Sequence, residues 1–144
     1  MSNIEKRIKK ITSEFQVFDD WLDKYNHIIE YGKTLPKFDD EKKTPDNLIT
    51  GCQSQVWISA YFKDGLVFFE ADSDALITKG IVAILINVLS GATPDEIINC
   101  DMSFIDNIGL REHLSPTRAN GLAGMIKQMK IYAIAFKTKY KTNV

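Results

Sequence analysis

The chain has 144 residues, 44% hydrophobic and 26% charged, with a formal net charge of −1 from 18 Lys+Arg and 19 Asp+Glu. Those proportions suit a single soluble domain spanning residues 1–144, large enough to bury a core without disulfides. The near-neutral charge sets up no field toward a nucleic-acid backbone. The start, MSNIEKRIKK, holds no apolar signal segment, and the longest apolar run, Ile81 to Leu89, is too short to span a bilayer. We therefore expect a cytoplasmic protein with no nucleic-acid or membrane partner, a monomer or homodimer, whose two cysteines are reduced thiols.

The elements follow in chain order. Residues 1–32 read as helical, because Ile4, Ile8, Ile11, Phe15, Phe18, Leu22, Tyr25 and Ile29 step by fours and threes and so share one face. A break is expected near Val17 and Phe18, with Asp20 as the N-cap of a second helix and Asp23 in its first turn. Gly32 fits the left-handed residue that closes a helix. Residues 33–47 are rich in charge and hold Pro36 and Pro45, which marks a surface loop.

A β signal follows. Asn47–Thr50 is a short strand candidate, Gln55–Phe62 alternates its apolar residues, and Leu66–Ala71 is a third strand. The Asp64-Gly65 pair between the last two is a hairpin signal. Beyond them Ser73 can cap a helix running to Ser90 and ended by Gly91. That helix is apolar nearly all round, so it should lie at the centre of the fold. Thr93-Pro94-Asp95-Glu96 is a capping box that opens a short helix. Ser115-Pro116 opens a long one, with Leu122, Met125, Ile126, Met129, Ala133 and Phe136 as its buried face. The predicted class is α+β, a three-stranded antiparallel sheet with helices packed on one side.

Chemistry is expected at Thr50-Gly51-Cys52-Gln53-Ser54-Gln55, between two predicted strands. Gly51 permits unusual backbone angles and close approach of another chain. Gln53, Ser54 and Gln55 offer hydrogen bonds but no charge. A thiol at a hairpin tip can reach into a partner's active site and exchange sulfur there as a thiolate. A lone cysteine is equally the mark of an inert small hydrophobe, so these residues alone leave both readings open.

The motif run Gly51-Cys52-Gln53-Ser54-Gln55-Val56-Trp57 resembles the signature of the SufE family, sulfur acceptors of the SUF iron–sulfur assembly system. The resemblance continues through Ala71–Ala75, Lys79–Ala83, Ser90–Pro94 and Leu114–Leu122, in order, over about Asp20 to Phe136. It implies the fold shared by SufE and the IscU-type scaffold proteins. It implies Cys52 as the persulfide acceptor, and a SufS-type cysteine desulfurase as the donor that this protein stimulates. A SufB-containing scaffold complex would be the next acceptor. No cofactor is expected in this chain, since pyridoxal phosphate belongs to the desulfurase. The resting thiol is expected in an apolar pocket made by the central helix and the long last helix.

Gly51, Gln53 and Ser54 would support the loop, and Asp72, Asp74 and Arg118 are candidate partner or loop contacts. Asp72 and Asp74 flank a helix N-terminus, where carboxylates are favoured on electrostatic grounds alone. Arg118 stands where the dipole disfavours a cation, so it either bridges to Asp72 or Asp74 or contacts the cysteine loop. Cys100, His27 and His113 read as passive packing or capping groups, and Trp21 and Trp57 as core or near-core. Four other functions are weighed. A CsdE-like partner of a CSD-type desulfurase would use the same site. An IscU-type metal or iron–sulfur scaffold needs about three thiolates, and this chain offers Cys52 and Cys100. A thiol peroxidase needs a depressed thiol pKa, and no Lys, Arg or His lies near Cys52 in sequence. A purely structural domain would leave Cys52 inert.

Overall fold

Two helices form where the periodicity of the first 32 residues predicts them. In a computed structural model, which describes residues 3–49, 54–110, 112 and 114–140, α1 spans Asn3–Gln16 and α2 spans Trp21–Gly32. Asp20 is the N-cap of α2, its carboxylate accepting the Leu22 N–H at 2.9 Å. The other end of α2 differs from expectation. Gly32 stays helical, and Lys33 caps the helix at φ −71°. Glycine is needed there for helix approach, not for a left-handed turn: a Cβ on Gly32 would lie 3.1 Å from the backbone nitrogen of Gly80.

The hairpin forms as predicted. Strands β1 (Val56–Lys63) and β2 (Leu66–Ser73) pair antiparallel with Lys63 opposite Leu66 and Val56 opposite Ser73. Asp64 (φ 54°) and Gly65 (φ 81°) are the two left-handed residues that a tight hairpin turn requires. The third strand is a correction. Among the described residues the sheet has two strands, and Asn47 ends a 3-10 turn over Pro45–Asn47. What survives of the expected strand is one bridge, Leu48 to Trp57, with Ile49 N–H donating to Val56 O at 2.8 Å. Pro45 fixes the turn and takes Asn47 out of extended backbone. Thr50, the last residue of the predicted strand, lies outside the described residues.

One face of the hairpin is buried through Val56, Ile58, Val67, Phe69 and Ala71. Helices α3 (Leu76–Leu89) and α6 (Pro116–Tyr140) lie against it, the one-sided covering that the sequence pattern predicts. Phe62 stacks on Phe136 and Tyr140 of α6, with ring centroids 5.6 and 4.4 Å apart. The Tyr132 hydroxyl donates to Ile58 O at 3.2 Å. α3 is buried along most of its length and is the centre of the core. Its start is another correction: Ser73 is the last residue of β2 and Ala75 is the N-cap. Its C-terminal end comes at Leu89, one residue before the expected Ser90, which is the C-cap. Gly91 follows in the expected left-handed conformation at φ 79°, its N–H donating to Val67 O at 2.7 Å, and Arg7 Nη1 of α1 donates to Val88 O and Ser90 O at 3.0 and 2.9 Å. An arginine thus satisfies carbonyls that the helix end leaves open.

The capping box of α4 (Pro94–Ile98) is fully made, Glu96 N–H to Thr93 Oγ1 at 3.2 Å and Thr93 N–H to Glu96 Oε1 at 3.0 Å. Ser115 Oγ accepts the Arg118 N–H at 3.3 Å and starts α6. A four-residue helix, α5 (Phe104–Asn107), has no counterpart among the predicted elements, being too short to show a period; it buries Phe104 and Ile105. Lys130 Nζ of α6 donates to Ile98 O and Cys100 O at 3.1 and 2.9 Å, fastening the end of α4. Among the described residues no helix is long and apolar enough to cross a membrane.

The tightest contact is between α2 and α3. A Cβ on Gly80 would lie 2.6 Å from Ile28 Cγ2 and closer still to the Ile28 carbonyl oxygen, so neither backbone nor side chain leaves it space. Gly80→Ala is expected to lower the unfolding free energy by about 3 kcal/mol, as overpacking does in a rigid core. Urea unfolding checks this, and the loss for Gly32→Ala should be smaller.

Candidate functional site

Cys52, Gly51 and Gln53 lie outside the described residues, and so does the apolar pocket expected for the thiol insofar as it depends on them. The structure does describe what holds the chain on either side. On the near side Ile49 is tied to Val56 by the 2.8 Å backbone bond. On the far side Ser54 and Gln55 are fastened to the junction between β2 and α3. Ser54 Oγ donates to Thr78 Oγ1 at 3.1 Å, and Ser73 Oγ donates to Gln55 O at 2.8 Å. The Gln55 N–H donates to Asp74 Oδ1 at 3.0 Å, and the Asp74 N–H donates back to Gln55 O at 3.3 Å. Ser54, expected to support the loop, and Asp74, a candidate partner or loop contact, both take part in these bonds of the stem. Asp74 stays exposed while holding the stem.

Asp72 is placed differently. It sits opposite Trp57 on the hairpin, on the face away from α3. Lys43 Nζ is 3.1 Å from its Oδ2 and Lys79 Nζ is 3.4 Å from its Oδ1. The same Lys43 ammonium lies 5.1 Å from the Trp57 ring centroid on that face, where Trp57 is half-buried outside the core cluster, unlike Trp21, which packs against it. Burial pulls the Asp72 carboxyl up. The Lys43 hydrogen bond, the Ser73 N–H and the Lys79 charge outweigh that and leave it below the usual carboxylate range. Arg118 is exposed in the first turn of α6 and makes no ion pair with Asp72 or Asp74; the ion-pair partners of Asp72 are Lys43 and Lys79. The bridge considered for it is not formed.

Sequence reasoning missed Ser73 and Thr78 as loop anchors, and Lys43 and Lys79 as the partners of Asp72. Thr78 carries a readable signal, a hydroxyl near the start of a helix that is apolar over most of its length. Lys43 carries none, because it is 29 positions from Asp72 (72 − 43).

A sequence-family model described as SufE, Fe-S metabolism associated domain, matches residues 9–133. The chain belongs to the SufE family. An uncharacterized SufE-like protein of Synechocystis is 40% identical over 136 residues, covering 94% of this chain and 86% of that one. An uncharacterized SufE-like protein of Rhizobium etli is 41% identical over 85% of this chain and 86% of its own. SufE-like protein 1, chloroplastic/mitochondrial, of Arabidopsis thaliana is 37% identical over 96% of this chain and 38% of its own length. The fold is shared with the solution structure of a hypothetical protein from Thermus thermophilus, with a TM-score of 0.77, 19% identity and coverage of 92% and 96% of the two chains. The matched span of the SufE model contains Cys52, Asp72, Asp74 and Arg118.

The remaining polar residues of this SufE domain have structural surroundings. Cys100 is buried at 8% exposure, and burial pushes its thiol up despite the nearby Lys130 charge. His27 Nε2 lies 3.0 Å from Glu14 Oε1, and its ring packs against Phe15, Phe18 and Tyr31, as a packing group would. His113 lies outside the described residues. Among the described residues no cluster of three or more His, Cys, Asp or Glu is placed to hold a metal ion.

The lowered Asp72 carboxyl gives a pH prediction. Its stabilising effect is fully present above the unfolded carboxylate range, about pH 4. It is lost as pH falls through the still lower folded value. Asp72→Asn should therefore destabilise the protein at neutral pH and flatten the acid limb of the stability curve below about pH 4. Denaturant midpoints taken from pH 7 to pH 2 check it, and parallel curves for the two proteins would sink the assignment.

Proposed function

We propose that this SufE protein accepts sulfane sulfur as a persulfide on Cys52 from a SufS-type cysteine desulfurase, stimulates that enzyme, and delivers the sulfur for iron–sulfur cluster assembly. What carries the reading is the SufE family match over a span that includes Gly51-Cys52-Gln53-Ser54-Gln55-Val56-Trp57. Its support in the structure is a cysteine-bearing segment whose two flanks are both held by hydrogen bonds to the hairpin and α3. The Cys52 thiolate attacks the terminal sulfur of the donor persulfide. A new bond forms between Cys52 Sγ and that sulfur, the sulfur–sulfur bond of the donor breaks, and the donor cysteine leaves as thiolate. No electrons are gained or lost overall, and pyridoxal phosphate stays with the desulfurase. The next acceptor is a SufB-containing scaffold complex. The relay belongs in the cytoplasm, where a free Cys52 stays reduced.

Incubation with a SufS-type desulfurase, pyridoxal phosphate and cysteine, without reductant, should add sulfur to the peptide carrying Cys52 and none to Cys52→Ser, read by mass spectrometry. No uptake from SufS but uptake from a CSD-type desulfurase would reassign the donor; no uptake from either would end the relay reading. Arg118 is exposed and makes no ion pair with Asp72 or Asp74, which supports assigning it a contact with the desulfurase. Arg118→Ala should slow sulfur uptake about tenfold while leaving the thermal midpoint unchanged, and normal uptake in the folded variant removes Arg118 from the site.

A further inference from the structure

Arg7 and Lys10 stand one turn apart on α1, and neither has a carboxylate partner among the described residues. Arg7 is half-buried. Its Nη1 donates to Val88 O and Ser90 O, which are neutral, and its Nε and Nη2 donors have no acceptor among the described residues. A charge drawn part-way out of water and left unpaired is costly.

Arg7 opens onto a cavity of about 380 Å³ between α1, the C-terminal end of α3 and the chain that follows α2. No carboxylate lines it, and two further walls hold spare donors. The Asn87 amide gives one proton to Ala83 O at 2.8 Å and keeps a second. Ser90 Oγ accepts the Phe69 N–H at 2.9 Å and keeps its own proton. Leu35, Pro36 and Ile86 add an apolar surface. A second cavity of about 300 Å³ shares Thr34 and Asn87 with the first and is lined by Lys10. The carboxylates there are already engaged: Glu14 meets His27 Nε2 at 3.0 Å and the Tyr31 hydroxyl at 2.6 Å, and Glu30 pairs with Lys33 at 2.8 Å.

We infer that this groove binds a small organic oxyanion, a carboxylate or a phosphate ester with an apolar body. The free donors of the guanidinium match two oxygens of such a group in one plane. Asn87 and Ser90 supply further hydrogen bonds, Lys10 adds charge, and the body of the ligand lies on Leu35, Pro36 and Ile86. The partial negative charge at this end of α3 is covered by Arg7 Nη1. The cysteine stem is fastened at the other end of the 14-residue helix, roughly 20 Å away, so the site is separate from the sulfur chemistry and does not depend on it.

The full chain is titrated with phenyl phosphate, benzoate, inorganic phosphate and benzylamine, and its amide signals are followed by nitrogen–proton NMR. Phenyl phosphate or benzoate should shift the Thr34 and Ser90 amides and the Asn87 side-chain amide to saturation, and the tighter of the two assigns the group as phosphate or carboxylate. Inorganic phosphate should bind more weakly because it leaves the apolar wall unused, and benzylamine should move none of these signals. Arg7→Gln should abolish binding, but Arg7 also ties the end of α3, so the deciding variant is Asn87→Asp. That change keeps the size of an exposed side chain and puts a carboxylate into the cavity, and it should weaken binding about tenfold, read at Thr34 and Ser90. Lys10→Gln should weaken it about twofold, as suits an exposed charge. Shifts that do not saturate with either organic anion, equal binding of inorganic phosphate or benzylamine, or an unchanged affinity in Asn87→Asp would each overturn the proposal.

Discussion

A helix apolar over most of its surface is stable in water only if other elements cover that surface, and α3 is such a helix, with Leu76 and Asn87 left at the surface. Ile81, Val82, Ala83, Ile84, Leu85, Val88 and Leu89 are all buried, so the rest of the chain is arranged around them. α2 approaches until Gly80 meets the Ile28 backbone, the hairpin packs its apolar face on the helix through β2, and α1 and α6 also pack against it. A helix so enclosed must also satisfy its ends from outside. Arg7 does this at the C-terminal end, and the Ser73 hydroxyl takes an N–H at the N-terminal end.

That requirement joins the core to the site. The N-terminal end of α3 faces the stem after Cys52, so the groups that settle the helix start also hold the segment carrying the thiol. Ser73, Asp74 and Thr78 each bond Ser54 or Gln55. Asp72, one position before Ser73, points the other way and ties the loop of residues 33–47 to the hairpin through Lys43. Alternation along β2 thus separates two tasks that sit next to each other in sequence: Ser73 faces the core and the cysteine stem, and Asp72 faces solvent and the lysines.

Different parts of the fold are legible for different reasons. The α1–α2 break, the Asp64-Gly65 turn and the Thr93 capping box are local, set by residues within about four positions of each other, and they appear where the sequence places them. The departures from expectation are of a second kind. Gly32 carries the chemistry of a left-handed cap but serves a helix contact with Gly80, 48 positions away (80 − 32). Asn47–Thr50 has the composition of a strand, yet Pro45 draws Asn47 into a turn and leaves a single bridge. α5 has no periodicity to read and exists because Phe104 and Ile105 find room in the core.

Composition, local caps and an ordered motif need no coordinates, and they are enough to reach the α+β class, the family, and Cys52 as the residue to watch. Which residues serve that cysteine is a matter of packing in three dimensions. Thr78 lies 24 positions from Ser54 and Lys43 lies 29 from Asp72. No local rule links them, since each pairing arises from how the hairpin docks on α3 and how the charged loop folds back over it. Asp72 and Arg118 look like partners in a list of charges. In the fold they are not paired, and two lysines take the carboxylate instead.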